Sequence, residues 1–169
     1  MSNPTAHDKL LGLINAANPG KNFTLEEISF GAPSTVTGTK NTQVTVTAQS
    51  GSPYSGSRQV TYNRVSLAGA PGVESTEFTM DPDWVNIADL IPAVAARFGR
   101  LIDASDITDG ALPAADQDGV ITVLLTAATS SLLWIGSVQL TIVPALIPLS
   151  EAIANNELDG LDLDDLTVS

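Results

Sequence analysis

A long uncharged stretch, 119–150, has the pattern of strands rather than of a membrane span. A spanning helix needs about 20 predominantly apolar residues in one run, and hydroxyl side chains divide this stretch into two shorter pieces. The second piece alternates polar and apolar residues over 137–142, and a period of two is typical of a half-buried strand. We therefore predict a strand pair joined at 127–131, with Trp134 buried in the core or in an interface.

Residues 5–17 predict an amphipathic helix whose two ends are marked in the sequence. Thr5 is a candidate N-cap, and the carboxylate of Asp8 favours the helix dipole. The sequence Asn-Pro-Gly at 18–20 then ends the helix. The predicted apolar stripe consists of Leu10, Leu13, Ile14 and Ala17.

A second helical period occurs around 86–99, where apolar residues recur at the spacing of one helix face. Asn86 and Asp89 supply a plausible cap, and Gly99 supplies an end. Pro92 removes a hydrogen bond inside a helix, so either the first turn is irregular or the regular helix begins near Pro92. The predicted apolar face consists of Ile87, Leu90, Ile91, Val94, Ala95 and Phe98.

The remaining pattern predicts strands that neighbour one another along the chain. Residues 41–67 alternate on both sides of a Gly/Ser/Pro loop and indicate a hairpin, while 28–30 and 77–80 indicate short strands. Strands next to each other in sequence, with helices set apart, are typical of an α+β fold with a mostly antiparallel sheet and two helices packed on it. We predict one such domain over 1–143, followed by an extended C-terminal tail, 144–169.

The composition restricts the possible partners. The 169 residues include 19 acidic and 7 basic side chains, which gives a net charge of −12. Direct nucleic-acid binding is disfavoured because phosphate contacts require clustered Lys and Arg. Cysteine is absent, which excludes disulfides and Cys-based metal sites. The N-terminus has no apolar segment of a secretory signal, so we expect synthesis and folding in a cytoplasm.

Sequence motifs of common enzyme classes fail on spacing. Six residues separate Gly31 from Gly38, whereas a P-loop needs four there so that backbone amides wrap the phosphates. The serine-rich loop 51–57 lacks the Gly-x-Ser-x-Gly elbow, and His7 is the single histidine. We expect no enzymatic activity, no cofactor and no small-molecule substrate.

Two acidic loops are candidate calcium sites. Calcium prefers several oxygen ligands, but neither loop has the one-three-five spacing before a glycine and a glutamate at the twelfth position. We interpret Asp118 and Gly119 as a turn that opens the next strand and keep calcium as the alternative. The loop carboxylates are those of Asp103, Asp106, Asp109, Asp116 and Asp118.

Arg64 lies on the same predicted strand face as Val60 and Tyr62. An arginine in such a position typically packs its stem against the sheet and pairs its charged head with an acid. The alternative for Arg64 is a salt bridge between subunits.

The C-terminal tail contains too many leucines for a chain end exposed to solvent. It also contains too many acidic residues for a segment that forms its own core. A segment of this kind commonly orders against a partner, and the alternative is that it packs on its own domain. We predict that its leucines fill a groove of a neighbouring protein and that its acids meet a basic rim. The residues proposed to contact the partner are Leu158, Leu161, Leu163, Leu166, Asp162 and Asp164.

Four phrases occur together in a fixed order along the chain. They are TVTAQSGSPYSGSRQVTYNRVSL, IADLIPAVAARFGRLIDASDITDGALP, DGVITVLLTAATSSLLWIGSVQLTIV and NNELDGLDL. In this order they resemble a family of structural modules of tailed-bacteriophage virions, which are sometimes tandemly repeated. The resemblance implies a structural module of the virus particle without catalytic activity.

From this resemblance we expect a non-enzymatic structural protein of a tailed bacteriophage virion, assembled in multiple copies at the neck or collar, the tail or the fibre attachment. Its expected partners are copies of itself and other virion proteins, with no nucleic acid and no membrane. It would be made in the host bacterial cytoplasm and reside in the virion. The alternatives are a capsid decoration protein and, from a different class, a carbohydrate-binding module.

Overall fold

The structure is a computed structural model that describes residues 4–146 together with 152 and 153. In this part of the chain the α-helices are α1 (Ala6–Ala17) and α2 (Ile91–Phe98), and short 3₁₀-helices cover Leu67–Gly69, Ile87–Leu90 and Ala104–Asp106. The strands are β1 (Ile28–Phe30), β2 (Ser34–Thr35), β3 (Thr42–Ala48), β4 (Ser57–Tyr62), β5 (Val65–Ser66), β6 (Glu77–Thr79), β7 (Ile121–Thr126), β8 (Trp134–Ile135) and β9 (Ser137–Val143). The predicted α+β class is confirmed.

Helix α1 begins at the predicted cap. The backbone N–H of Thr5 donates to the Asp8 carboxylate at 2.8 Å, and the N–H of Asp8 donates back to the Thr5 hydroxyl at 3.2 Å. The Thr5 hydroxyl also donates to the Asp8 carboxylate at 2.7 Å, and the backbone and hydroxyl bonds from Thr5 hold the pKa of Asp8 below its ordinary value. The predicted apolar stripe is only partly correct, because Leu10 is buried whereas Leu13 is 57% exposed.

Helix α2 follows a 3₁₀ turn, Ile87–Leu90, so its entry is irregular and the regular helix starts at Ile91, one residue before Pro92. A capping box links Asn86 and Asp89, and hydrogen bonds from the Asn86 and Val85 backbones lower the pKa of Asp89. Gly99 ends the helix with φ of +59°, a left-handed conformation that glycine adopts without steric cost. Both alternatives predicted for Pro92 are therefore found: the first turn is irregular, and the regular helix begins next to Pro92.

The strands divide among three sheets rather than joining one. In the first sheet β3 pairs antiparallel with β1, β2 and β4. In the second, β9 pairs antiparallel with β7 and parallel with β6. The third consists of β5 and β8, which are parallel. The pairing is mostly antiparallel, as predicted.

The strand pair predicted in the uncharged stretch exists as β7 and β9, with Val123 opposite Leu140. Its connection is longer than the predicted 127–131, because Trp134 and Ile135 leave the hairpin to pair with β5. Gly136, at φ of +76°, turns the chain from β8 into β9. The residues before β9 therefore connect the second sheet to the third.

The buried hydrophobic residues form two clusters of very different size. The large core lies between α2 and the sheet of β6, β7 and β9, and it includes Val94, Phe98, Leu140 and Trp134. The small core lies under α1, where Leu10, Val44, Tyr62 and Leu132 meet. Leu132 and Trp134 are two residues apart and belong to different clusters, so the segment 131–134, here called the junction segment, connects the two cores.

None of the helices in the described ranges is long and apolar enough to cross a membrane. Residues 147–151 and 154–169, which contain most of the predicted extended tail, lie outside the described residues.

Candidate functional site

The residues proposed to contact a partner fall into two groups in the structure. Leu158, Leu161, Leu163, Leu166, Asp162 and Asp164 lie outside the described residues. Arg64 is described, and it is 7% exposed. It lies beside the junction segment, where several buried polar side chains come together.

The Arg64 guanidinium connects the first sheet to the loop before β8. Its Nε donates to the Thr42 hydroxyl at 3.0 Å, and one terminal nitrogen donates to the carbonyl oxygens of Ser131 at 3.0 Å and Thr129 at 3.4 Å. Its other terminal nitrogen donates to the Thr35 hydroxyl at 3.5 Å. The acid expected to pair with Arg64 is thus replaced, among these contacts, by neutral oxygens.

The Arg64 backbone is also fixed. The Asn41 side chain accepts from the N–H of Arg64 and donates to its carbonyl oxygen, both at 2.9 Å. A side chain held at both ends inside one chain is poorly suited to reach a partner. We therefore interpret Arg64 as an internal residue and no longer propose it for a salt bridge between subunits.

Ser131 and Asp106 form the second polar pair of the junction. The Ser131 hydroxyl donates to Asp106 Oδ1 at 2.6 Å, and it accepts from the backbone N–H of Trp134 at 3.1 Å. The other Asp106 oxygen accepts from the N–H of Asp103 at 3.2 Å, in a capping box of the short 3₁₀-helix. The Asp106 carboxylate, which belongs to one of the predicted acidic loops, therefore accepts hydrogen bonds inside the fold.

Two aromatic side chains complete the junction. The Tyr62 hydroxyl donates to the Leu132 carbonyl oxygen at 2.8 Å, and burial raises the pKa of Tyr62 although Arg64 opposes this rise. The Trp134 indole N–H donates to the Leu101 carbonyl oxygen at 2.9 Å. The burial predicted for Trp134 is confirmed, since it is 7% exposed.

In an enzyme, a carboxylate beside a serine hydroxyl can activate that hydroxyl as a nucleophile. Here both side chains are buried and hold neighbouring backbone in place. Ser131 is 2% exposed and Asp106 is 4% exposed. Every buried side-chain nitrogen or oxygen atom among the described residues has a hydrogen-bond partner. The polar groups of the junction are thus bonded to one another and have little surface at which a substrate could bind.

Two further carboxylates of the acidic loops, those of Asp109 and Asp116, also accept hydrogen bonds from backbone N–H groups. Asp109 Oδ1 accepts from the N–H of Ala88 at 2.9 Å, and Asp116 Oδ1 accepts from the N–H groups of Asp118 and Val120 at 2.9 Å each. Gly119 adopts φ of +78°, so the predicted turn before β7 is confirmed. Within 4–146, 152 and 153, no group of three or more metal-ligating side chains is placed to hold a metal ion.

An open cleft of about 380 Å³ lies between the end of α1, the first sheet and the loop before β4. Phe23 and Tyr54 line it with their ring centroids 4.9 Å apart, and Arg58 lies at its edge. Asn15 fixes Phe23 by bonding to both its N–H and its carbonyl oxygen, at 2.8 and 2.9 Å. This cleft combines aromatic and polar groups at the surface.

Sequence reasoning did not find the roles of Thr42, Tyr62, Asp106 and Ser131 in the junction. Two signals were present in the sequence. The Asp103-x-x-Asp106 spacing is that of a capping box, and Ser131 is a polar residue inside an apolar stretch that must find a hydrogen bond when buried.

Comparison with known proteins identifies the family of the chain. The sequence model of a family of unknown function (DUF7941) matches residues 1–166. The chain therefore belongs to this family. No match is found among the curated proteins, and none is found among the solved structures.

Proposed function

We propose that this member of the DUF7941 family is a non-enzymatic structural protein of a tailed-bacteriophage virion. It is assembled in multiple copies at the neck or collar, the tail or the fibre attachment. Its partners are copies of itself and other virion proteins. A decoration position on the capsid is the alternative location, and a density map of whole particles distinguishes the two.

The main observation that supports this proposal is that the buried polar side chains form hydrogen bonds within the fold. The buried polar residues of the described chain are Thr42, Arg64, Asp106 and Ser131, and each bonds to neighbouring backbone or side-chain atoms. Such an arrangement fixes the relative position of two cores and leaves the groups unavailable for a substrate. The ordered phrases that resemble virion modules give independent support.

The surface offers places where copies can pack. Among the described residues, β4 and β7 each pair with a strand on one side only, and an open strand edge is a template for pairing with another chain. Leu124 on β7 is 59% exposed. An assembly in many copies would cover both the edge and this side chain.

The proposal is tested by quantitative mass spectrometry of purified particles of the phage that encodes the chain. The expected result is a fixed copy number relative to the major capsid protein, unchanged by density-gradient purification and by salt washing. A protein found only in the lysate, or lost in proportion to washing, contradicts the proposal.

The proposal includes docking of the C-terminal tail on a neighbouring subunit. Its test is a full-length chain with Leu158, Leu161, Leu163 and Leu166 replaced by serine. The purified variant should melt as the parent does, yet it should not enter particles. Val168→Ser, outside the acidic motif, is the matched control and should be incorporated. Normal incorporation of the quadruple variant contradicts docking, and a lowered melting temperature indicates a tail that packs on its own domain.

A carbohydrate-binding module is the second candidate, favoured by the aromatic cleft at Phe23 and Tyr54. Pockets that bind small molecules typically combine aromatic walls with a few polar groups. Retention on a glycan column, lost in Tyr54→Ala and kept in the exposed control Thr61→Ala, would support this candidate. Passage of the unaltered protein through such columns would remove it.

A further inference from the structure

We propose that a groove between α1 and the loop after α2 receives the acidic, leucine-rich segment 157–166 of a second copy of this chain. The inference rests on the proposed function, because it requires an assembly in which copies are neighbours. It adds the position at which the tail binds and the identity of its partner.

The groove consists of two adjoining pockets, of about 280 and 330 Å³, which share Lys9 and Leu101. The first pocket lies between α1 and the junction segment and is almost entirely apolar. The second continues past the end of α2. The side chains on which the argument depends are Lys9, Leu13, Val65, Leu101, Leu133 and Arg100.

The apolar part of the groove lacks a cover within the described chain. Leu13 and Val65 are each 57% exposed, although they come from different elements and line the same pocket. Single exposed apolar residues are ordinary on a protein surface, whereas grouped ones in a concave site mark an interaction surface. Leu13 lies one turn after the buried Leu10, so α1 continues its apolar face into the groove.

The rim of the groove is basic in a strongly acidic chain. Lys9 and Arg100 line it, and they are two of only seven basic residues against 19 acidic ones. Arg100 Nε donates to the Ala70 carbonyl oxygen at 3.4 Å, which leaves further donors on its guanidinium. The two pockets are lined by no carboxylate, and Asp103 lines the next pocket, which bounds the groove.

The segment 157–166 reads ELDGLDLDDL and matches this surface in composition. Its four leucines suit the apolar floor, and its five acids suit the Lys9 and Arg100 rim. Opposite charges across an interface raise the rate of association and select the correct partner. The leucines of the segment would contact the apolar floor of the groove, and the acidic residues between them would face its basic rim.

The last strand ends at a distance from the chain's own groove. Trp134 lines the groove, and β9 begins at Ser137 and runs to Val143. Seven residues of strand span about 23 Å, so the chain leaves β9 at the end distant from its own groove. In the proposed assembly copies are neighbours, so the segment of one copy binds the groove of the next.

Disulfide cross-linking of the full-length chain tests the proposal, because the protein contains no cysteine of its own. Leu13→Cys and Leu161→Cys are made as separate proteins, mixed, and oxidised. Docking in trans predicts a disulfide-linked dimer of the two variants. Val65→Cys in place of Leu13→Cys is the second groove variant, and Val85→Cys, at 66% exposure, is the matched control away from the groove.

The expected result is rapid dimer formation by both groove variants and slow formation by the control. A cross-link that forms only within the double variant Leu13→Cys/Leu161→Cys means that the tail occupies its own groove and overturns the choice of a second copy. Yields equal to the Val85→Cys control overturn the groove itself. Neither outcome affects the particle stoichiometry that tests the proposed function.

Charge reversal tests the role of the rim. Lys9→Glu in the Leu13→Cys protein should lower the cross-linking rate about fivefold, as expected for one exposed ion pair. Asp162→Lys in the Leu161→Cys partner should restore most of this rate. High salt should slow the reaction of the unaltered pair by screening. Cross-linking that is indifferent to both changes contradicts the contribution of the basic rim.

Discussion

The regions around α2 and α1 differ in how much apolar surface they bury. Among the described residues, the large core contains fourteen buried hydrophobic residues and the small core contains four. Helix α2 buries Ile91, Val94 and Phe98 within eight residues, whereas α1 buries Leu10 alone within twelve. The small core therefore has little apolar packing to hold its helix.

Polar contacts supply part of what the small core lacks. The Tyr62 hydroxyl and the Arg64 guanidinium donate to carbonyl oxygens of the junction segment, and the Asn41 side chain bonds to the Arg64 backbone. Buried hydrogen bonds contribute modestly when made and cost more when one partner is removed. The large core therefore provides stability, while the small-core region keeps its position through directed bonds and leaves Leu13 at the surface.

The largest expected effect is in the large core. Val94 is fully buried, and Val94→Asp would bury an unpaired charge, which costs far more than the folded state can offset. We expect the variant to be unfolded by circular dichroism and by urea titration. Ala96→Asp on the exposed side of α2 is the control and should fold. A cooperative unfolding transition of Val94→Asp would mean that α2 does not pack on the sheet.

Trp134→Ala removes the residue that links the large core to the loop after α2. We expect a loss of about 3–5 kcal/mol in the free energy of unfolding, as for other buried aromatic residues. The lost hydrogen bond to Leu101 adds to this effect. Urea denaturation measures it, and Trp84→Ala, at a half-buried site, should cost less. Equal losses at both tryptophans would contradict the difference in packing.

Arg64→Met tests the polar support of the small core. The substitution keeps an apolar stem and leaves the Thr42 hydroxyl and the Ser131 carbonyl oxygen without this donor. We expect a loss of about 1–3 kcal/mol in the free energy of unfolding. Arg58→Met, on the exposed part of β4, should change it by less than about 0.5 kcal/mol. If the two variants unfold at the same urea concentration, the junction does not stabilise this region.

The smallest effect concerns the two helix caps, one in each region. The pKa values of Asp8 and Asp89 are lowered by hydrogen bonds from backbone N–H groups. A lowered folded-state pKa contributes stability above the unfolded-state pKa, and this contribution is lost as the pH falls through the folded-state pKa. We expect the urea midpoint to fall below about pH 4, and to fall less in Asp8→Asn and Asp89→Asn. An unchanged acid response in both variants would contradict the role of the caps.

The sequence predicted the elements whose pattern is local. The capping pairs at Thr5 and Asn86, the irregular entry at Pro92 and the alternation in β3 and β9 are all readable from neighbouring residues. The α+β class followed from their order. These features agree because local propensity and the final fold favour the same conformation.

Contacts between distant segments were not predictable in this way. The parallel pairing of Val65 with Trp134 joins residues 69 positions apart, and no local period encodes it. The expected acid partner of Arg64 was wrong because carbonyl oxygens of the junction segment solvate the guanidinium instead. Leu13 belongs to the predicted apolar stripe of α1 but is exposed, because helical spacing cannot tell which part of a stripe another element covers.

Hydrogen exchange of the backbone amides in the full-length protein tests the difference between the two regions most directly. Amides with many buried neighbours exchange only through global unfolding, whereas weakly packed elements open locally. We predict that β7, β9 and α2 exchange at the rate of global unfolding and that α1 exchanges faster through a separate opening. Equal protection of α1 and β9 at every denaturant concentration would contradict the division into a stabilising core and a weakly packed, surface-forming region.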